Sequence, residues 1–402
     1  MGNYEQIILR GTNMKYNFDK KIDRKNNNST KWSGMAGGFI SNDLLPFWIA
    51  DMDFEICPNI SESMKKVLDQ NIFGYVDTGK SYFESACNWT EKRYGYSINP
   101  ETLVHTSGVV LSLVLAVELL TCEDDNIMIS SPAYPPFYDC VLDNNRKLFL
   151  NELIVKDNKY VIDFDDFEKQ IIENNIKWYI LCNPHNPTGR VWTRNELKEI
   201  ADLCLKHNVR VISDEVWRDL VFKDYKYTPF ASLSKEVEEI TITCFSASKT
   251  FNLAGLQASF ISIPKENERE KFKKELAKYH IARNNSFSVA AVETAFNEGE
   301  EWLSQLLDYL EGNLNYLSDF IHENLPKIKF IRPEGTYVVW LDFSEYKIDD
   351  INLYLQENAK VALNKGEAFD KNCKDFARIN IACPRYQLED GLNRIKEALD
   401  RL

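Results

Sequence analysis

Short apolar runs alternate with helix-patterned stretches through the middle of the chain, and no other feature restricts its fold as strongly. The runs cover residues 126–130, 177–182, 209–213, 240–245 and 258–263. Between them, Arg194–His207 is the clearest helix. Leu197, Ile200, Leu203 and Cys204 recur on one face, and Thr193 with Glu196 forms a capping-box signature. Strands alternating with helices build an α/β domain on a mostly parallel sheet, because parallel neighbours need a crossover and the helix supplies it. Ligands of such sheets sit beyond the carboxyl ends of the strands. The residues that follow each run are therefore the first place to look for chemistry.

After about residue 290 the pattern changes. One long helical stretch over 289–325 precedes strand-like residues 337–343, a loop, strand-like residues 377–382 and a terminal helix from Leu388. Together these read as a smaller α+β unit. The expected organisation is an N-terminal arm with part of the small domain (1–55), a large domain (56–289) and a small C-terminal domain (290–402). Within the arm, only the polar stretch 25–31 reads as mobile.

Composition excludes several classes. At 402 residues and 44% hydrophobic, the chain is too long and too apolar to be disordered, and it can bury a large core. Lys and Arg total 48 against 61 Asp and Glu, a net charge of −13, which argues against a globally basic nucleic-acid binder. The nine cysteines form no CxxC pair, and Cys182 and Cys244 lie inside apolar runs. Free thiols in a reducing cytosol are expected, not a disulfide framework or a metal site. No apolar leader opens the chain, and the run 109–120 carries Ser112 and Glu118 and is too short to span a bilayer. The expected location is the cytoplasm, with no membrane partner.

Three strand ends carry candidate chemistry. Residues 177–182 lead into Asn183-Pro-His-Asn-Pro-Thr-Gly189, a rigid turn whose Asn side chains can project into a site. Residues 209–213 lead into Asp214-Glu215, and 240–245 lead into Ser246-Ala-Ser-Lys249. Taken singly, these are an ordinary loop, a helix-capping carboxylate and a solvated lysine. Lys249, however, is framed by small hydroxyl residues between an apolar strand and a loop, where a desolvated amine can act as nucleophile or base. In this order and spacing, the three resemble the signature of the fold-type I pyridoxal-phosphate enzymes, the aspartate aminotransferase superfamily. The resemblance runs from about Lys15 to Leu402; residues 1–13 precede it.

The resemblance implies an α/β fold in which a mostly parallel seven-stranded sheet is sandwiched by helices and joined to a smaller α+β domain. Lys249 would form the Schiff base with pyridoxal 5′-phosphate and later shuttle the substrate Cα proton. Asp214 would pair with the pyridine nitrogen, making the ring a better electron sink. Asn186 would donate to the ring O3′, and Tyr134 would stack on the ring. Ser246 and Ser248 would hold the phosphate, together with Gly108 and the backbone amides of Val109 and Val110 at a helix start. Arg378 would clamp the substrate α-carboxylate. Tyr75 would reach the phosphate of a neighbouring subunit, which implies a homodimer with shared sites.

Four segments narrow the branch: Leu45-Pro-Phe-Trp-Ile-Ala-Asp-Met-Asp-Phe54, Asn183-Pro-His-Asn-Pro-Thr-Gly-Arg-Val-Trp-Thr193, Lys249-Thr-Phe-Asn-Leu-Ala-Gly-Leu-Gln257 and Asn380-Ile-Ala-Cys-Pro-Arg385. They are similar to the MalY/PatB-type cystathionine β-lyases. Gln257 stands where many aminotransferases of the superfamily carry a phosphate-binding arginine. Trp217 stands where a His or Tyr is usual; an indole N–H can donate but can neither accept nor ionise. The expected activity is carbon–sulfur β-lysis of L-cystathionine or another S-substituted cysteine. Amino transfer from an aromatic or other apolar amino acid is the alternative. A cofactor-bearing regulatory protein is the reading from a different class.

Overall fold

The computed structural model describes residues 15–33 and 38–402, so residues 1–13 lie outside the described chain. Seven strands form one sheet in the order Leu103–Thr106, Ser259–Ser262, Thr241–Phe245, Arg210–Asp214, Ile176–Cys182, Asn126–Ser131, Lys147–Glu152. Ser259–Ser262 runs antiparallel to both of its neighbours, and every other pair is parallel. The mostly parallel α/β architecture expected from the sequence is thus borne out.

Alternation of side chains across the pleat explains why these strands read as unbroken apolar runs. Ile127, Ile129, Trp178, Ile180, Ile212 and Ile242 enter one core, which they share with residues of helices Val109–Leu120, Pro135–Leu142 and Glu266–Lys278. Met128, Tyr179, Leu181 and Val211 enter the opposite core, with residues of helices Phe164–Glu173, Arg194–His207 and Lys235–Ile240. A strand covered on both faces has no solvent side to keep polar.

Local signals set where the strands end. The Thr193 hydroxyl accepts from the Glu196 amide at 3.3 Å, and the Glu196 carboxylate accepts from the Thr193 amide at 2.7 Å, completing the capping box. A cap of this kind is worth about 1 kcal/mol. The helix closes on Asn208 in the left-handed conformation at φ 55°, and the chain turns directly into Arg210–Asp214. Asp214 is therefore the last residue of its strand, not the first of the following loop.

Elsewhere the structure departs from the sequence reading. The helical stretch over 289–325 is two helices, Ser286–Glu298 and Glu300–Asn324, meeting at Gly299. A Cβ at Gly299 would lie 2.3 Å from Cε1 of Phe251, so the break reflects a close tertiary approach. The terminal helix begins at Arg385. The polar stretch 25–31 ends in a fully buried Lys31, which donates to Asp53 at 2.6 Å. Beside it, Arg24 binds Asp51 and Asp53 at 2.8 and 2.6 Å.

The C-terminal part carries an antiparallel sheet in the order Val338–Asp342, Phe376–Asn380, Asn364–Lys365. Leu45–Pro46 pairs in parallel with Val361–Ala362, tying an early segment to a late one. The segment that follows, residues 48–54, runs as a strap between the two sheets. On one side Asn380 donates to the carbonyls of Ile49 and Asp51 at 2.7 and 2.6 Å. On the other, Asn252 accepts from the Met52 amide and donates to the Met52 and Phe54 carbonyls. Among the described residues, no helix is long and apolar enough to cross a membrane.

Candidate functional site

Three adjacent parallel strands end at one edge, because Cys182 pairs with Asp214 and Asp214 with Cys244. That register brings the Asn-Pro turn, Asp214 and the Lys249 loop side by side. Asp214 is 3% exposed, and its carboxylate accepts one hydrogen bond, from the Val216 amide at 3.0 Å. Burial pushes its carboxyl up to about 7; Glu215 adds to the rise, while the Val216 amide and Lys249 oppose it. A carboxyl so placed ionises readily once a cation arrives beside it.

Lys249 donates to the Ala50 carbonyl at 2.6 Å, and its amine lies 5.6 Å from the centre of the Trp217 ring. Burial lowers its pKa to about 8; Arg378 lowers it further, and Asp51 and Asp214 pull the other way. At pH 8 about half of such an amine is neutral, against well under 1% for an ordinary lysine. The amine opens onto a cleft of about 550 Å³ walled by Arg24, Ile49, Asp51 and Asn252 among others.

Arg378 comes from strand Phe376–Asn380 and is 3% exposed. It donates to Asn186 Oδ1 at 2.8 Å and to the Trp48 carbonyl at 3.0 Å, while its buried Nε has no partner. Among the described residues no carboxylate pairs with it, and burial lowers its pKa to about 10. A buried guanidinium with neutral acceptors and an idle donor is the arrangement expected of an anion-binding fork.

The two asparagines of the turn separate. Asn186 meets Arg378, whereas Asn183 faces inward, accepting from the Trp192 amide and donating to the Thr228 carbonyl. Gly189 closes the turn at φ 72°, where a Cβ would lie 2.3 Å from that of Pro333. Tyr134 caps helix Pro135–Leu142 and is partly buried; burial raises its phenol pKa, with Arg378 opposing and Asp214 adding to the rise.

Gly108 adopts φ 129°, and its amide donates to the Ser259 hydroxyl at 3.1 Å. Helix Val109–Leu120 starts there, so the Val109 and Val110 amides, in its first turn, have no acceptor within the helix. The Ser246 hydroxyl is turned away, donating to the Ala258 carbonyl at 2.6 Å and accepting from the Ser248 amide. Gln257 is exposed in a left-handed conformation. Trp217 is buried edge-to-face against Tyr337, with ring centres 4.7 Å apart. Tyr75 does not join this site. It is 93% exposed, and the guanidinium of Arg283 lies 4.5 Å from the centre of its ring.

Sequence reasoning singled out residues 45–54 as a family segment but gave the strap no place in the site, and it gave none to Tyr337. The available signal was the pair of acids, Asp51 and Asp53, in an otherwise apolar segment. Their charge must be met by cations if they are buried, and Arg24 and Lys31 meet it.

These residues suit a phosphorylated pyridine aldehyde. Asp214 offers a buried carboxylate short of partners, Lys249 an amine about half neutral at pH 8, and the helix start at Val109 unsatisfied amides for a phosphate.

The profile described as aminotransferase class I and II matches residues 42–395. The chain is 41% identical over 385 residues to cystathionine beta-lyase PatB of Bacillus subtilis, covering 95% of this chain and 100% of that one. The PLP-bound C–S lyase of Staphylococcus hominis superposes with a TM-score of 0.91 at 36% identity, covering 96% of this chain and 99% of that one. A PLP-bound protein of Clostridium difficile, provisionally described as an aminotransferase, superposes with a TM-score of 0.93 at 46% identity, covering 96% and 100%.

Proposed function

The chain belongs to the class I and II aminotransferase family, among the fold-type I pyridoxal-phosphate enzymes, and we propose that it is a carbon–sulfur β-lyase. It converts L-cystathionine or a related S-substituted cysteine, with water, into a thiol, pyruvate and ammonia. The observation that carries this reading is the likeness to PatB along the full length of both chains. Within the site, Lys249 and Arg378 both fasten to the strap, at Ala50 and Trp48, and so stand at a fixed spacing.

Bound pyridoxal phosphate supplies a carbonyl carbon for covalent capture of the substrate amine and a ring that accepts the electron pair released at Cα. The remaining work falls to side chains. Arg378 receives the substrate α-carboxylate with its buried fork and fixes which Cα bond faces Lys249. The Lys249 amine removes the Cα proton as a general base, for which a pKa near 8 is well matched to neutral pH. Asp214 would supply the negative charge that pairs with the ring nitrogen. Asn186 and Tyr134 would bound the ring, and the Val109 and Val110 amides would take the phosphate, the Gly108 amide being held by the Ser259 hydroxyl. Ser248 is the serine of its loop whose hydroxyl has no partner among the described residues, whereas Ser246 reaches a phosphate only by giving up Ala258. Trp217 supplies a packing face.

The exposed side chains of Leu68, Ile72, Phe73 and Tyr75 cluster in one short segment, and a second copy of this chain is the partner that would cover them. In such a homodimer Tyr75 serves the other copy's phosphate. The assignment of the early segment to the C-terminal unit is supported by the pairing of Leu45–Pro46 with Val361–Ala362, whereas residue 289 lies inside helix Ser286–Glu298. A cytoplasmic location is supported by thiols that are all unpaired.

Amino transfer shares the proton-removal step, so the leaving group on Cβ decides between the outcomes. The test is L-cystathionine with purified enzyme, with and without 2-oxoglutarate. Thiol and pyruvate appearing without the oxo acid support the lyase; turnover that requires it and yields no pyruvate overturns it.

A further inference from the structure

The Ala50 carbonyl accepts two hydrogen bonds, one from Lys249 Nζ at 2.6 Å and one from Tyr337 Oη at 3.0 Å. It cannot turn to favour either donor, because the peptides on both sides are fixed: Asn380 holds the Ile49 and Asp51 carbonyls, and Asn252 holds Met52. Tyr337 is equally fixed. It is 1% exposed, its ring meets Trp217 edge-to-face, and its backbone carbonyl accepts from the Ile381 amide at 2.9 Å. The Lys249 amine thus sits in a rigid seat made of one carbonyl, one indole face and one phenol.

Two donors on one oxygen compete. Each withdraws electron density that the other would use, and the positive ends of the O–H and N–H dipoles repel. The cost falls mainly on the ammonium form of the lysine, which needs the acceptor most. Resting on the assignment of Lys249 as the cofactor-binding amine, we propose that Tyr337 is its positioning residue. Its phenol shares the Ala50 carbonyl with the lysine and so favours the neutral amine that covalent capture requires.

The other charged groups facing the lysine are Arg378 from strand Phe376–Asn380, Asp214 from strand Arg210–Asp214, and Asp51 from the strap. Asp51 is in turn bound by Arg24 and Lys31. Burial and Asp51 hold the Tyr337 hydroxyl far above the ordinary tyrosine range, against Arg378, so it remains a neutral donor at every working pH.

The test is Tyr337→Phe in the full-length protein, which keeps the ring against Trp217 and removes only the hydroxyl. The rate at which cofactor-stripped protein captures added pyridoxal phosphate is followed by its visible absorbance from pH 6 to 9, giving the midpoint of the Lys249 amine. The midpoint should rise by about half a pH unit, and the acid limb of kcat for the holoenzyme should move the same way. 3-Fluorotyrosine installed at position 337 alone, a stronger donor of nearly the same shape, should lower it. An unchanged or lowered midpoint in folded Tyr337→Phe, or no capture at any pH, overturns the proposal. If that variant does not fold, the direction of the fluorotyrosine shift decides alone. Because capture involves no thioether, failure of cystathionine cleavage leaves this result intact, and the two readings fail separately.

Discussion

Asp214→Asn should stabilise the cofactor-free protein while destroying its activity. The buried carboxyl has a pKa of about 7 against an ordinary 3.8, raised first by burial and then by Glu215. At 1.36 kcal/mol per pH unit, holding it ionised above pH 7 costs the folded state roughly 4 kcal/mol. The folded state binds this proton more tightly than the unfolded state. Stability is therefore unaffected below about pH 4, falls as pH rises towards 7, and levels off above that. Asparagine pays none of this cost, and its Oδ1 can still accept from the Val216 amide. With an unfolding entropy of about 2 cal/mol/K per residue over 402 residues, the gain corresponds to roughly 5 °C in Tm. Thermal unfolding of both cofactor-free proteins by circular dichroism at pH 5 and pH 8 measures it. The advantage of the variant should be about 2.5-fold larger at pH 8 than at pH 5. Adding pyridoxal phosphate should reverse the order, because only the carboxylate gains a partner at the ring nitrogen. A variant less stable than wild type at pH 8, or equally displaced at both pH values, would refute this account of the site's electrostatics.

Lys249→Ala should lose the visible absorption band of the bound cofactor and all pyruvate release; a retained band would remove the lysine from its assigned place. Arg378→Lys should cut kcat/KM at least about 30-fold, or about 2 kcal/mol, since an ammonium cannot reproduce the fork. Steady-state kinetics should show most of that loss in KM. Lys31→Met strands the Asp53 carboxylate with Arg24 as its remaining cation and should cost about 3 kcal/mol, read from chemical denaturation. Tyr75→Ala should lower affinity for pyridoxal phosphate and leave the monomer's helical signal intact; equilibrium dialysis and sedimentation separate the two effects.

What could be read from the sequence was what local pattern controls. The strand runs and helix Arg194–His207 were legible because two-sided burial and a capping box leave marks within a few residues. Asp214, Asn186 and Lys249 could be picked out because strand ends concentrate such side chains. Their actual partners could not, since those come from far along the chain. Lys249 meets a carbonyl 199 residues away, and Arg378 meets an amide 192 residues away. Lys31 looked like part of a solvated stretch because its counter-ion lies 22 residues downstream. The break at Gly299 was hidden for the same reason: the residue that demands a glycine is Phe251, on another element. Tyr337 read as one more core aromatic in an apolar run, and nothing local marks a phenol whose acceptor is 287 residues distant.

The most direct test of the central claim is the product balance from L-cystathionine in the absence of any 2-oxo acid. Thiol, pyruvate and ammonia should appear in equal amounts over many turnovers, and none of them with Lys249→Ala. Thiol release without matching pyruvate, or turnover that stops after one equivalent until an oxo acid is added, would contradict it.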